Sequence, residues 1–142
     1  MHISTPQEPF PEIGRVQNPA VFYDGQDALV CYEPSAGPKG GNVVLRFARV
    51  LDFRMTPVSI DGRRDSRYPV NPGTFSEVIG GAETARWHRF KARHWIITFN
   101  DVTVEVVFRT VEIIDRHLEE GPQDGALLNT LNGLRGRGII AL

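Results

Sequence analysis

The clearest pattern of apolar and polar positions runs from Arg93 to Phe108, RHWIITFNDVTVEVVF. Two arms alternate with period two on either side of Asn100-Asp101, the mark of paired strands whose side chains point to opposite faces. With Asn100 and Asp101 as a two-residue turn, Trp95 falls opposite Val106, Ile97 opposite Val104, Phe99 opposite Val102 and Arg93 opposite Phe108. Asn and Asp tolerate the positive φ of a type I′ turn, which is the turn expected here. The face carrying Trp95, Ile97, Phe99, Val102, Val104 and Val106 is expected to be core, and the face carrying His94, Ile96, Thr98, Thr103, Glu105 and Val107 is mixed.

The same reading extends along the chain. Met1–Pro19 holds four prolines, so it is expected to be an extended arm outside any central strand, anchored by Phe10 and Ile13. AVFYD at 20–24 and DALVCYE at 27–33 form a hairpin around Gly25-Gln26, with Leu29 and Cys31 on one face and Val30 and Tyr32 on the other. Val43–Met55 is a long strand-like run that must bend or carry a bulge, a helix being the competing reading. Thr56–Gly73 is irregular and rich in Pro, Gly, Asp and Arg. Thr74–Ile79 is a short strand or one helical turn, and the strand leading into the hairpin starts near Trp87. After the polar break at 115–125, Asp124 caps a short helix, Gly125–Asn132, with Leu127, Leu128, Leu131 and Leu134 as its stripe and Gly133 just past its end. RGRGIIAL is a last edge strand or a docked tail.

Composition agrees: 14 valines and 10 isoleucines against 9 leucines favour strands. The expected fold is mainly β with a minor α+β component: a curved antiparallel sheet or partial barrel of about six strands, with a short C-terminal helix. One domain covers 1–142, divided into the arm (1–19), a β body (20–114) and the helix and tail (115–142).

The net charge of -1 supplies no global field toward nucleic acid or an anionic membrane, and no apolar stretch is long enough to span a bilayer. A single cysteine, Cys31, excludes an internal disulfide and a thiolate metal cage, and its apolar neighbours make it a small buried hydrophobe. No signal peptide is apparent, so a cytoplasmic protein is expected, with no cofactor and no metal. GPKGG at 37–41 lacks the spacing of a phosphate-binding loop.

Candidate chemistry is sparse. On the hairpin register His94 and Glu105 are diagonal neighbours on the mixed face, within reach of each other, and His88 shares the parity of His94 if the strand is continuous. Imidazole beside carboxylate can bind metal or act as an oriented base, but His88 and His94 would lie ~20 Å apart on one strand. RWHRFKARHW at 86–95 interleaves Arg86, Arg89, Lys91 and Arg93 with aromatics, a composition that grips phosphates and bases as well as blocking a sheet edge. Arg63, Arg64, Arg67 and Tyr68 in the irregular region have the composition of a partner-contacting loop. With no assembled catalytic motif, the favoured reading is a non-enzymatic protein-interaction module. Its partner is another protein, one instance being a toxin to be neutralised, or a second copy in a homodimer; a membrane is not expected and nucleic acid is not favoured. The alternatives are a small metal- or His-dependent hydrolase, and a small-ligand or nucleic-acid binder using 86–95.

Overall fold

The computed structural model describes residues 1–14, 17–57 and 71–138. Arg63, Arg64, Arg67 and Tyr68 lie outside the described residues, as does the end of the tail. The strands are β1 (His2–Ser4), β2 (Ala20–Tyr23), β3 (Ala28–Tyr32), β4 (Asn42–Ala48), β5 (Asp52–Pro57), β6 (Phe75–Ile79), β7 (Arg93–Thr98), β8 (Val102–Phe108) and β9 (Thr110–His117). The helices are α1 (Ala82–Arg86), followed by a 3-10 turn at His88–Phe90, and α2 (Gln123–Gly136). The chain is mainly β, as expected, but the strands form two antiparallel sheets, in the orders β1-β6-β7-β8-β5 and β2-β3-β4-β9.

The β7–β8 register is the one the alternation predicts: Arg93 pairs with Phe108, Trp95 with Val106 and Ile97 with Val104. The turn type is not. Among the described residues the non-glycine positions of positive φ are Arg49 and Lys91, so Asn100 and Asp101 do not form a type I′ turn. The end of the arm holds this turn from outside. Asn100 N–H donates to the Gln17 carbonyl at 2.9 Å, and Asp101 N–H to Asn18 Oδ1 at 2.8 Å. Asn18 Nδ2 donates in return to Asp101 Oδ2 at 2.7 Å.

The long run from Val43 is a strand that bends, not a helix. It breaks at Arg49, whose φ is 54°, and crosses from one sheet to the other. Such a left-handed residue costs about 1–2 kcal/mol, and Asp27 offsets part of it by accepting the Arg49 N–H at 3.2 Å while gripping Arg46 at 2.6 Å. The partner ribbon crosses at the same level, between β8 and β9. Arg109 N–H reaches the Ala48 carbonyl at 3.1 Å and Leu51 N–H the Val107 carbonyl at 2.7 Å. The two sheets are thus joined at one corner by a bent two-stranded ribbon.

Between them lies one core of β-branched and aromatic residues. Trp95, Ile97, Phe99, Val104, Val106 and Phe108 meet Val30, Tyr32, Leu45 and Phe47 of the facing sheet. Trp95 and Phe108 cross edge to face at 5.4 Å, and Phe47 stands against both. A second cluster covers the outer face of the four-stranded sheet. There Leu29, Cys31 and Val44 receive Leu127, Leu131 and Leu134 of α2, one helical stripe. Leu128, expected on that stripe, is exposed. The helix is longer than expected at both ends: Pro122 is its N-cap, Asp124 sits in the first turn, and Gly133 lies inside it. Cys31 is fully buried, and burial, aided by Asp115, pushes its thiol up to about 12.

The segment before β7 is not a strand. Gly80-Gly81 opens α1, the 3-10 turn follows, and Lys91 at φ 54° reverses the chain into Arg93. The strand expected to start near Trp87 therefore begins only at Arg93.

Candidate functional site

The feature that combines shape with chemistry is the space under the N-terminal arm. The arm starts as edge strand β1, with Ser4 opposite Glu77. Continuing that register would set Pro6 opposite Phe75, and Pro has no N–H to offer the ladder, so pairing stops. The arm then leaves the sheet edge and is caught again further on. Arg93 does much of the catching. It makes a two-pronged bond to Glu77, at 3.0 and 2.8 Å, and reaches the Glu8 carboxylate at 2.6 Å. Its guanidinium also lies 5.6 Å from the Trp95 ring centre. The bonds to Glu77, with Glu8 behind them, hold Arg93 above even the usual arginine range, against the effect of burial.

Beyond Glu8, Phe10 stands edge-on to Trp95 at 5.8 Å, and Tyr32 Oη donates to the Pro11 carbonyl at 2.7 Å. Ile13 bridges to Pro34, and Gly14 N–H bonds the Glu33 carbonyl at 2.9 Å. Gly14 has to be glycine here, since a Cβ would sit 2.8 Å from the Pro34 oxygen. Phe10 and Ile13 are thus the anchors the sequence suggested.

Pinned at both ends, the stretch from Thr5 to Phe10 bridges a cleft of about 540 Å³. Phe10, Phe75 and Trp95 make it apolar, while Thr5, Glu8 and Glu12 add polar groups. The indole N–H of Trp95 has no hydrogen-bond partner among the described residues. A second cleft of about 500 Å³, lined by His2, Ser4, Asn71 and Ser76, shares Thr5, Thr74 and Phe75 with the first. The two meet at Phe75, where β6 is paired with β7 but, among the described residues, has no strand on its other side.

His94 and Glu105 do meet, at 2.7 Å between Nε2 and Oε1, as their diagonal positions predicted. They lie on the outer face of the five-stranded sheet among Val78, Ile96 and Val107, and His94 is 0 % exposed. The imidazole is out of reach of a substrate in solution, while the Glu105 side chain is 19 % exposed. His88 is not with them: it is exposed on the 3-10 turn, outside β7. Sequence reasoning missed a further polar cluster. His117 Nε2 lies 2.8 Å from Thr130 Oγ1 and 3.2 Å from Asp115 Oδ2, and the Thr130 hydroxyl donates to that Asp115 oxygen at 2.7 Å. Asp115 and His117 stand two residues apart on β9, but Thr130 comes from α2, and no sequence spacing marks it. Among the described residues no group of three or more His, Cys, Asp or Glu is arranged to hold a metal. No described helix is long and apolar enough to cross a membrane.

Comparisons with protein families, with curated proteins and with solved structures give no match.

Proposed function

We propose that this chain is a non-enzymatic protein-interaction module that takes up an extended segment of a partner protein in the cleft under its N-terminal arm. The observation that carries this reading is the edge of β6 at Phe75, where Pro6 ends the pairing and three aromatic rings line the adjoining space. An extended segment lying there supplies main-chain groups to an edge without a strand partner among the described residues, and an apolar side chain to the rings, the two ingredients of strand addition. A second copy of the chain and a toxin-like partner are two forms of the same reading. The buried position of His94 disfavours the hydrolase alternative.

Selection of displayed random peptides on the purified chain tests this. Enriched peptides are expected to bind with Kd below ~100 µM, about 5 kcal/mol of binding free energy. They are expected to lose at least roughly tenfold on Phe10→Ala or Thr74→Pro, changes that touch the cleft. Enrichment of nothing, or of peptides indifferent to both substitutions, overturns the reading.

A further inference from the structure

The chain's charge of -1 conceals a division between its two ends. The strand registers place the β4–β5 and β8–β9 crossings, the end of β6 and the start of β7 at one end of the sandwich. That end exposes Arg49, Arg86, Arg89, Lys91 and Arg109, none of which has a carboxylate partner among the described residues. The carboxylates nearby are largely engaged: Asp27 with Arg46, Asp52 with Arg54, and Glu77 with Arg93. Asp24 bonds the main chain of its own turn, whereas Glu83 on α1 has one buried oxygen with no hydrogen-bond partner among the described residues, and Glu112 on β9 is exposed. The opposite end carries exposed Glu12, Asp101, Glu119, Glu120 and Asp124, with Lys39 and Arg116 among them.

The cationic end also exposes apolar side chains. Phe90 is 53 % exposed, and Trp87 lies 6.0 Å from it, with the Arg86 guanidinium over its ring at 4.8 Å. Met1, 69 % exposed, packs beside Gly81 at the mouth of α1, and Ile79 ends the strand paired with His2. Folding has turned RWHRFK from an extended stripe into a short protruding turn, with bulky apolar groups among unpaired cations.

We infer that this end is a docking surface for an anionic lipid bilayer. Cations at a negatively charged leaflet and apolar side chains at the headgroup boundary are the two terms that hold a peripheral protein there. A nucleic acid would use the cations and the aromatic rings but has no use for Met1 and Ile79. The acidic residues at the far end orient the molecule, so that it meets the leaflet by one end. The low overall charge, read from sequence as no attraction to membranes, averages over this polarity.

The test is co-sedimentation of the whole chain with vesicles of phosphatidylcholine alone and with about a third phosphatidylglycerol. Partitioning is expected to be roughly tenfold or more higher on the anionic vesicles, and to fall as salt is raised. Reversing the three cations of the turn, in Arg86→Glu/Arg89→Glu/Lys91→Glu, returns it to the level of phosphatidylcholine alone. Phe90→Ser lowers it with every charge in place. Trp87 emission shifts to the blue on anionic vesicles, and Trp87→Phe removes that shift because Trp95 is already buried. Circular dichroism establishes that each variant is folded; if the triple variant is not, the exposed pair Arg49→Glu/Arg109→Glu serves in its place. Equal partitioning on both vesicles, anionic binding unchanged by charge reversal in a folded variant, or retention of a single-stranded oligonucleotide without vesicle binding overturns the inference. These readouts are independent of the cleft.

Discussion

Two imidazole–carboxylate contacts lie on the two outer faces of the sandwich, and they are built differently. His94 and Glu105 come from adjacent strands of one hairpin, and the imidazole is fully buried. His117 and Asp115 come from one strand, are partly exposed, and are joined by a hydroxyl from a helix laid over them. In the first the partners follow from strand register; in the second the tertiary fold completes the cluster. The first pair therefore contributes to the strength of the sheet, while the second determines how α2 sits on it. The difference teaches that neighbouring residues of the same chemical type do different work according to who completes their hydrogen bonds.

The largest effect separates them at once. His94→Ala leaves a void inside the sheet face and takes a bond from a partly buried carboxylate, so a loss of about 3 kcal/mol is expected in urea unfolding. His117→Ala, at a site that is only partly buried, is expected to cost less than about 1 kcal/mol. Equal losses for the two would break the distinction.

The next effect concerns the hydroxyl. Thr130 is buried on α2, between Leu127 and Leu131. Thr130→Val keeps the shape but withdraws the donor to Asp115 and the partner of His117, so about 1–1.5 kcal/mol is expected to be lost. Hydrogen exchange is expected to quicken in α2 and to stay unchanged in β7 and β8. Uniform quickening would mean that α2 and the sheets open together.

What could be read in the sequence follows the same division. The β7–β8 register was legible because Trp95, Ile97, Phe99 and the valines beyond the turn alternate in step. So were the β2–β3 hairpin, three of the four leucines of the α2 stripe (Leu127, Leu131 and Leu134) and the anchoring of Phe10 and Ile13. The register, the hairpin and the stripe depend on partners close in sequence or on one face of one element; Phe10 and Ile13 were legible only as large apolar residues in a proline-rich arm. The turn at Asn100-Asp101 was misread because Gln17 and Asn18, far away in sequence, supply its hydrogen bonds. RWHRFK was misread because its own alternation imitates a strand; Gly80-Gly81 before it and left-handed Lys91 within it decide otherwise. The cleft was invisible, since Phe10, Phe75 and Trp95 come together only when the arm crosses β6. The Thr130 cluster was invisible for the same reason.

The smallest effect tests how far the second contact reaches. Cys31 lies under α2, and its thiol stands at about 12 rather than the usual 9, chiefly from burial and secondarily from the Asp115 carboxylate. A pKa raised by folding favours the protonated form, so its stabilisation is complete below about pH 9 and is lost as pH climbs toward about 12. Tyr32, raised by its own burial, adds a loss in the same direction. Asp115→Asn removes the lesser cause at Cys31 and lets the buried thiol ionise sooner. Measured against each protein's own stability near pH 8, the alkaline loss is expected to be largest in the parent, slightly smaller in Asp115→Asn and smallest in Cys31→Ala. Identical alkaline curves for the parent and Asp115→Asn would confine the influence of Asp115 to His117 and Thr130, and the polar cluster on β9 would then be a seam for the helix and nothing more.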